Sequence, residues 1–400
     1  MKSSYQKFAK HTLVIGVATV LVTLSRLILL SLLTKTLGAH DYGAWAQVQV
    51  TISLVLGVVG LGLPYALTRF LPAKTQKEEM QEEFWSVFFL VFFTSFVVSI
   101  ILFSAASSIA RLFFEGSTEI VRITALIILV WSLDTTLLSL FRAFRQMKRY
   151  TLFVVGDAYV ELVVIAFLVL KGHGLLSILW TVLAVRGAIF ILLLFLINSQ
   201  VRLKKPQFLN IKEYLSFGLP TIPGNLASWV VASSDRYVIG YFLGATSVGI
   251  YSAAYGLGSL MIMLSTVWSF IVPPTLSKLY DEGRVTEIKT HLRYSLKYLL
   301  AINIPFVFGA AILAEPVLKL FSTAEIASKG RFVVPLIALS VLFFGAYAVI
   351  AHILVVVKKA KITGLIWIIA GIVNLGLNIV AVPHFGILGA ALTTLIAVSY

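Results

Sequence analysis

Residues 214–280 read YLSFGLPTIPGNLASWVVASSDRYVIGYFLGATSVGIYSAAYGLGSLMIMLSTVWSFIVPPTLSKLY. Two long apolar runs in this stretch are joined by the turn sequence LGATSVG, and the charged residues Asp235 and Arg236 lie deep within the first run. Lipid offers no partner to an open backbone or to a charge, and a charge at the centre of a membrane helix costs about 2.5–3.5 kcal/mol. The stretch therefore predicts two membrane-spanning helices that border a protein interior or a cavity.

The composition of the whole chain predicts a polytopic membrane protein. The chain has 400 residues, of which 59% are hydrophobic and 12% are charged, and its mean hydropathy is +0.98. A soluble domain of this length would be far more polar. The absence of cysteine excludes disulfides and thiol chemistry. A net charge of +15 would also suit a nucleic-acid partner, but basic loops on one side of the membrane explain it, and we expect no nucleic acid to bind.

The apolar runs predict twelve spans, because a membrane helix needs about 20 apolar residues. They are placed at 12–34, 44–67, 84–106, 120–141, 151–170, 175–197, 214–242, 247–272, 296–318, 332–356, 362–383 and 386–400. The basic linker 198–213 separates an N-terminal lobe, 1–197, from a C-terminal lobe, 214–400, with six spans each. The last run would form only about 22 Å of helix against a hydrocarbon core of about 30 Å, so we expect the natural chain to continue, up to 14 spans.

The basic residues alternate between the two sides of this layout. Loops on the side of the N-terminus carry 22 of the 32 lysines and arginines, and the loops on the other side carry seven. Cytoplasmic loops of membrane proteins are enriched in these residues. We therefore expect a multi-pass protein of the cell membrane with a cytoplasmic N-terminus and a cytoplasmic linker.

The two halves of the chain share a short pattern. The first span ends in LGAHDYG (37–43) and the seventh in LGATSVG (243–249), and each follows an arginine within a span, Arg26 or Arg236. The tripeptide LGA recurs at 388–390, before the last span. A duplication with an even number of spans per half would give parallel repeats. Chance is the alternative, since leucine, glycine and alanine are common in membrane helices.

Charged residues within the spans are the first candidates for a site, because such residues usually face a bundle interior or a water-filled cavity. They are Arg26, Asp134, Asp157, Glu161, Arg186, Asp235 and Arg236. Arg26 and Arg236 lie far from the span ends and could line one cationic cleft, with Arg186 as a further candidate. A guanidinium grips phosphate and carboxylate oxygens bidentately, so the cleft would suit a phosphate or an acidic sugar.

Arg236 has a simpler alternative role, as the local partner of Asp134 or of another acid. Asp235 is not expected to be that acid, because adjacent residues lie about 100° apart round a helix.

Asp157 and Glu161 are four residues apart and so share one helix face. Two carboxylates on one face can bind a cation or a proton, or can pair with an arginine. The alternative is that they are solvated at the cytoplasmic headgroups.

The seventh span contains a candidate hinge. Gly218, Pro220, Pro223 and Gly224 fall in its first half, and a proline inside a helix removes a backbone hydrogen bond and clashes with the preceding turn. A kinked helix beside a cleft is a frequent device in transporters. A packing kink without motion is the alternative, and Asn225, the next residue, is a candidate polar contact.

Signatures of an enzyme are missing from the sequence. The six histidines do not have metal-ligand spacing, so no metal site is expected, and no nucleophile elbow, phosphate-binding loop or dinucleotide fingerprint occurs. We therefore expect a protein that is not an enzyme.

Several motifs resemble the polysaccharide-transporter branch, the Wzx-type flippases, of the multidrug/oligosaccharidyl-lipid/polysaccharide (MOP) exporter superfamily. They are Ser25-Arg26, LGAHDYG, Arg69-Phe70, FGLP (217–220), DRYVIGYFLGATSVGIYSAAY (235–255), VPPTLSKLY (272–280) and NLGLNIVAVPHFGILGAALTT (374–394). The resemblance covers essentially the whole chain. The segment 235–255 is its most specific part.

The resemblance implies a fold like that of the multidrug and toxin extrusion (MATE) transporters, with two helical lobes around a central cavity. It also implies transport of an isoprenoid-pyrophosphate-linked oligosaccharide to the outer leaflet by alternating access, beside other polysaccharide assembly proteins. No cofactor is expected, and a proton or sodium gradient would drive transport, which makes Asp157 and Glu161 coupling candidates. The alternatives are a cation-coupled multidrug exporter of the same superfamily, which the arginines disfavour, and a glycan polymerase or ligase, which would need a larger outer loop.

Overall fold

The computed structural model describes the backbone of residues 2–357 and 359–399, and the side chains of 14–263, 268, 272–354, 356–357, 359 and 361–399. Some predictions from the sequence fall on residues outside the described side chains. These residues are the lysines of the first ten positions, parts of spans one and eight, Lys358 and Tyr400. All the described regular elements are helical, which confirms the all-α fold class.

Fourteen α-helices follow one another along the described chain. They are α1 (Lys2–Val59), α2 (Leu63–Phe70), α3 (Lys77–Ser104), α4 (Ala106–Phe113), α5 (Thr118–Ala143), α6 (Met147–Leu170), α7 (Leu175–Gln200), α8 (Ile211–Gly218), α9 (Ile222–Gly258), α10 (Ile262–Asp281), α11 (Val285–Phe321), α12 (Ala324–Gly330), α13 (Val333–Val356) and α14 (Ala360–Ser399). Short 3₁₀ turns occur at Leu71–Ala73, Leu219–Thr221 and Ser259–Met261.

Nine helical stretches in the described part of the chain are long and apolar enough to cross a membrane. Three of them, Val14–Val59, Ile211–Met261 and Lys361–Ser399, each contain a glycine with positive φ. Each of these glycines divides one long stretch into two helices. The described chain therefore contains twelve apolar segments, in agreement with the predicted number.

The glycine kinks explain the repeated LGA sequences. Gly38 has φ 78° and ψ −178°, and Gly244 has φ 79° and ψ 174°, so the two kinks have the same backbone conformation. Side chains other than hydrogen disfavour this region, and glycine tolerates it. The third kink is at Gly386, three residues before the glycine of the third LGA. The first two LGA motifs are thus structural equivalents, as a duplication predicts. The glycine of the third LGA, Gly389, does not form the kink.

Contacts between residues divide the chain into two compact units. Unit 1 comprises residues 1–29 and 47–226, and unit 2 comprises residues 30–46 and 227–400. The linker 198–213 therefore belongs to unit 1, and a short piece of α1 belongs to unit 2. These units have other bounds than the predicted lobes 1–197 and 214–400, which stay a prediction.

Unit 1 has a continuous apolar core made by α2, α3, α5, α7 and α8. Trp85, Phe141 and Tyr214 are among its largest fully buried side chains. The backbones of α2 and α8 meet at two glycines, since a Cβ on Gly218 would lie 2.5 Å from the carbonyl oxygen of Leu61 and a Cβ on Gly62 would overlap Gly218. Only glycine fits this crossing.

Unit 2 contains a second close crossing, between the helices that follow the two equivalent kinks. A Cβ on Gly43 would overlap the carbonyl oxygen of Ala245, and a Cβ on Gly249 would overlap that of Ala39. Each helix thus presents an alanine and a glycine four residues apart. Small residues at this spacing let membrane helices approach closely without a gap.

Candidate functional site

Unit 1 contains an ion-paired group of side chains within its apolar helices, which we call the intramembrane cluster: Arg186, Asp157, Glu161, Asp134 and Trp131. Arg186 of α7 donates from Nη1 to Oδ2 of Asp157 at 2.6 Å and from Nη2 to Oε2 of Glu161 at 3.0 Å. Only 5% of Arg186 is exposed. Because Asp157 and Glu161 share a face of α6, one guanidinium reaches both. Of the possible roles of these two acids, the structure realises pairing with an arginine.

Trp131 and Asp134 of α5 complete the intramembrane cluster. The guanidinium carbon of Arg186 lies 3.7 Å from the centre of the Trp131 ring, a cation–π contact. Asp134 is 1% exposed, and within the described chain neither of its carboxylate oxygens has a hydrogen-bond partner. Asp134 is near enough to Arg186 for an electrostatic interaction, so three carboxylic groups lie near one guanidinium. Ionisable groups inside a membrane protein mark ion or substrate pathways, and this acidic excess can accept a proton or a cation.

Arg26 lies at the edge of the same cluster. It is exposed on α1, and it is near enough to Glu161 for an electrostatic interaction without an ion pair in the described structure. The structure therefore brings together Arg26, Arg186, Asp157 and Glu161, four of the residues singled out from the sequence.

Arg236 lies in unit 2 and is buried. Its Nη1 atom donates to Oδ1 of Asp235 at 2.8 Å and to the carbonyl oxygen of Ala232 at 2.6 Å, and its guanidinium carbon lies 4.0 Å from the ring centre of Tyr255. Tyr251 donates a hydrogen bond to the other oxygen of Asp235. Every charge in this group has a protein partner.

The expectation that Asp235 could not pair with Arg236 is wrong. The angle of 100° between adjacent residues applies to the Cα–Cβ directions, but the long arginine side chain curls back along the helix to the preceding turn and meets the short carboxylate there. Whether Arg236 contacts substrate stays a prediction. In this conformation its guanidinium binds Asp235.

The candidate hinge coincides with a change of helix type. Gly218 ends α8, Pro220 lies in the 3₁₀ turn Leu219–Thr221, and Pro223 and Gly224 lie in the first turn of α9. A proline in a first helical turn loses no hydrogen bond, so Pro223 does not interrupt α9. The change of helix type is therefore at Pro220, with right-handed helical backbone on both sides, and Asn225 is exposed just beyond it.

A polar group that the sequence did not indicate attaches the linker 198–213 to the start of α3. Glu83 accepts hydrogen bonds from Asn210 Nδ2 at 2.6 Å and from Tyr214 Oη at 2.5 Å, and Lys74 Nζ lies 2.7 Å from Oε1 of Glu83. Lys74 also binds Glu79, and the hydrogen bonds to Glu79 and Glu83 raise the pKa of Lys74. We call this group the linker network.

Backbone contacts and a small cavity extend the linker network. Ser86 Oγ accepts from the backbone N–H groups of Gln207 and Phe208 at 3.1 and 3.2 Å, and Trp85 Nε1 donates to the carbonyl oxygen of Arg202 at 3.1 Å. A cavity of about 140 Å³ lies between the linker and α3. The linker is thus held along its length by one helix of unit 1.

Comparisons with known proteins agree with the resemblance seen in the sequence. The profile of a family described as polysaccharide biosynthesis protein matches residues 32–328. The probable flippase AglR of Haloferax volcanii is 28% identical over 174 residues, which are 43% of this chain and 36% of the relative. The probable low-salt glycan biosynthesis flippase Agl15 of the same organism is 22% identical over 227 residues, 57% of this chain and 48% of the relative. The matches thus span less than half the length of these relatives.

Solved structures share the fold over nearly the whole chain. An inward-facing MATE family multidrug transporter of the MOP superfamily superposes with a TM-score of 0.75 at 17% identity, covering 94% of this chain and 91% of that one. The lipid II flippase MurJ, in an inward closed conformation, also gives 0.75, at 20% identity over 96% of this chain and 84% of that one. The MATE-like fold class is confirmed.

Proposed function

The chain belongs to the polysaccharide biosynthesis protein family, and on that premise we propose that it is a flippase for an isoprenoid-pyrophosphate-linked oligosaccharide. It moves this lipid from the cytoplasmic to the outer leaflet of the cell membrane by alternating access. Two relatives that are named probable flippases support the proposal, as does the fold shared with the transporters. The activity is transport rather than catalysis, and other polysaccharide assembly proteins are its partners.

The intramembrane cluster is the observation that carries the mechanism. Its acidic excess takes up a proton or a sodium ion, and Asp157 and Glu161 hold or release Arg186 according to that occupancy. A ligand shifts a conformational equilibrium only when it binds the two states differently. A change in the ion pairs of Arg186 between the two states supplies such a difference. Transport then needs an ion gradient and no cofactor.

Arg26 is the proposed substrate contact in unit 1. It is the arginine within a span that is exposed and has no carboxylate at ion-pair distance in the described structure, so its guanidinium is available to a pyrophosphate. Arg186 and Arg236 act through the carboxylates that they hold.

The test uses purified protein in proteoliposomes that contain a fluorescent polyprenyl-pyrophosphate oligosaccharide. We expect protein-dependent flipping that Arg26→Gln slows at least tenfold and that Arg26→Lys partly restores. Arg111→Gln, which changes an exposed arginine outside the intramembrane cluster, is the matched control and leaves the rate unchanged. Absence of flipping by the parent protein under an imposed proton or sodium gradient would overturn the proposal.

A cation-coupled multidrug exporter is the second candidate. The acidic excess of the intramembrane cluster and the likeness to a MATE multidrug transporter favour it. Efflux of ethidium from cells that express the chain, abolished by Asp134→Asn and unaffected by Arg26→Gln, would establish this function in place of the first.

A further inference from the structure

Helix α11 has a buried side and an exposed side at its start. Ile288 packs with Val272, Leu276 and Leu279 of α10 in a small apolar core, and Leu299 is also buried. Eleven residues separate Ile288 from Leu299, which is close to three helical turns, so both lie on one face. This face fixes which side of α11 points away from its own unit.

The exposed side carries three cations in a row. Lys289, Arg293 and Lys297 are spaced by four residues, are all exposed, and rise about 6 Å from one to the next. No carboxylate pairs with any of the three in the described part of the chain. By contrast, Arg284, in the turn before α11, lies 2.8 Å from Glu282 and 2.6 Å from Glu287 and is already neutralised. We call the three free cations the basic stripe.

Apolar side chains continue the exposed side beyond the basic stripe. Ile304 and Phe308 lie within about 20° of Lys297 round the helix axis, and Ile312 follows one turn later. All three are exposed, up to 77% for Ile312. The surface therefore changes from basic to apolar along a single helix.

The length of α11 places this change at the membrane surface. Its 37 residues make about 55 Å of helix, whereas the hydrocarbon core is about 30 Å thick. The apolar part fills that core, so the basic stripe lies at the level of the headgroups and beyond. The charge pattern predicts that this end is cytoplasmic.

We propose that the exposed side of α11 is a docking surface for the lipid-linked substrate, in which the basic stripe binds the pyrophosphate and the apolar residues bind the start of the isoprenoid chain. The inference rests on the proposed function and adds where the substrate is first held. Charge complementarity favours this occupant over a bulk phospholipid, because a pyrophosphate diester carries two negative charges and a phospholipid phosphate carries one. Three unpaired cations within about 12 Å suit the doubly charged pyrophosphate.

Two tyrosines lie beside the basic stripe. The rings of Tyr294 and Tyr298 are exposed, and their centres are 6.2 Å apart with an angle of 25° between the planes. They offer flat, amphipathic faces next to the cations. The first sugars after the pyrophosphate pack there.

The test compares Lys289→Gln/Arg293→Gln/Lys297→Gln with Arg284→Gln in phosphatidylcholine nanodiscs. The probe is a polyprenyl-pyrophosphate-linked sugar, the same pyrophosphate diester as the proposed substrate, with phosphatidylglycerol as competitor. Each basic residue near an anionic lipid changes affinity about fivefold, so we expect the triple variant to bind about 100-fold more weakly. Arg284→Gln binds like the parent, and phosphatidylglycerol in tenfold excess does not displace the probe. Unchanged thermal unfolding of both variants shows that they are folded.

Two outcomes overturn the inference while the proposed function stands. One is that the parent flips the lipid-linked oligosaccharide and the triple variant needs no more substrate for half its maximal rate. The other is that phosphatidylglycerol binds with the same affinity as the probe and displaces it, which makes the basic stripe a general anionic-lipid surface. A parent protein that neither binds nor flips the substrate refutes the proposed function itself.

Discussion

Replacing Arg186 with glutamine removes the only cation of the intramembrane cluster and leaves Asp157 and Glu161, side by side on one face of α6, without their partner. Arg186 is nearly fully buried, and its two hydrogen bonds are short and charge-assisted. Breaking a buried ion pair by removing one partner costs about 3–5 kcal/mol. We expect Arg186→Gln to lower the free energy of unfolding by that amount.

The matched control neutralises Arg186 together with the two carboxylates that it pairs with. In Arg186→Gln/Asp157→Asn/Glu161→Gln both ion pairs are replaced by neutral groups, and replacing a complete buried ion pair in this way is often nearly neutral. We therefore expect this triple variant to recover most of the stability lost in Arg186→Gln and to lose gradient-driven transport.

The assay is steric trapping in bicelles, which measures the free energy of unfolding in a bilayer. A single variant within about 1 kcal/mol of the parent would refute the reasoning, because it would mean that water reaches the two carboxylates. A triple variant as unstable as the single one would also refute it, since packing rather than charge would then explain the loss.

Three further predictions concern stability and the linker. Gly38→Ala should lower the free energy of unfolding by about 1–3 kcal/mol because Gly38 has a positive φ. Gly16→Ala, in an open helical position, should leave this free energy unchanged or raise it, and steric trapping measures both variants. Gly43→Ala should cost about 1–3 kcal/mol by forcing apart two backbones in unit 2, measured in the same way. Glu83→Gln should lower the free energy of unfolding by about 2–3 kcal/mol and should speed proteolysis within the linker. Glu79→Gln should have a smaller effect, because the Glu79 side chain is more exposed than that of Glu83.

Each of these predictions has a result that contradicts it. Equal stabilities of the two helical alanine variants would mean that the kink at Gly38 is not retained in the membrane. A neutral Gly43→Ala would mean that the crossing is looser than the structure has it. Linker cleavage at the parental rate in Glu83→Gln would show that the backbone contacts of Ser86 hold the linker without the carboxylate.

Local patterns in the sequence predicted the spans and the turn at LGATSVG. A run of apolar residues must form a helix in lipid, because every backbone group has to be satisfied within the segment, and this holds whatever lies beside it. The sequence LGATSVG predicted a turn, and the structure has a kink there at Gly244, with the same conformation at Gly38 of the related LGAHDYG; glycine tolerates this positive φ.

The partners of the charged residues could not be predicted in the same way. Arg186 meets acids 25 and 29 residues earlier, and Glu83 meets Asn210 and Tyr214 more than 120 positions later. Glu83 stands in the acidic sequence KEEMQEEFW, which looks like a solvated helix start. Only the tertiary structure distinguishes its one buried carboxylate from the neighbours that face solvent.

The composition of unit 2 has a consequence for how the protein is made. Residues 30–46 belong to unit 2, and the rest of that unit begins at residue 227. A chain that grows from its N-terminus completes unit 1 at residue 226, while residues 30–46 still await Ala245 and Gly249, their backbone contacts. During membrane insertion this piece of α1 must therefore stay unassembled, in reach of chaperones and quality-control proteases, until α9 leaves the translocon.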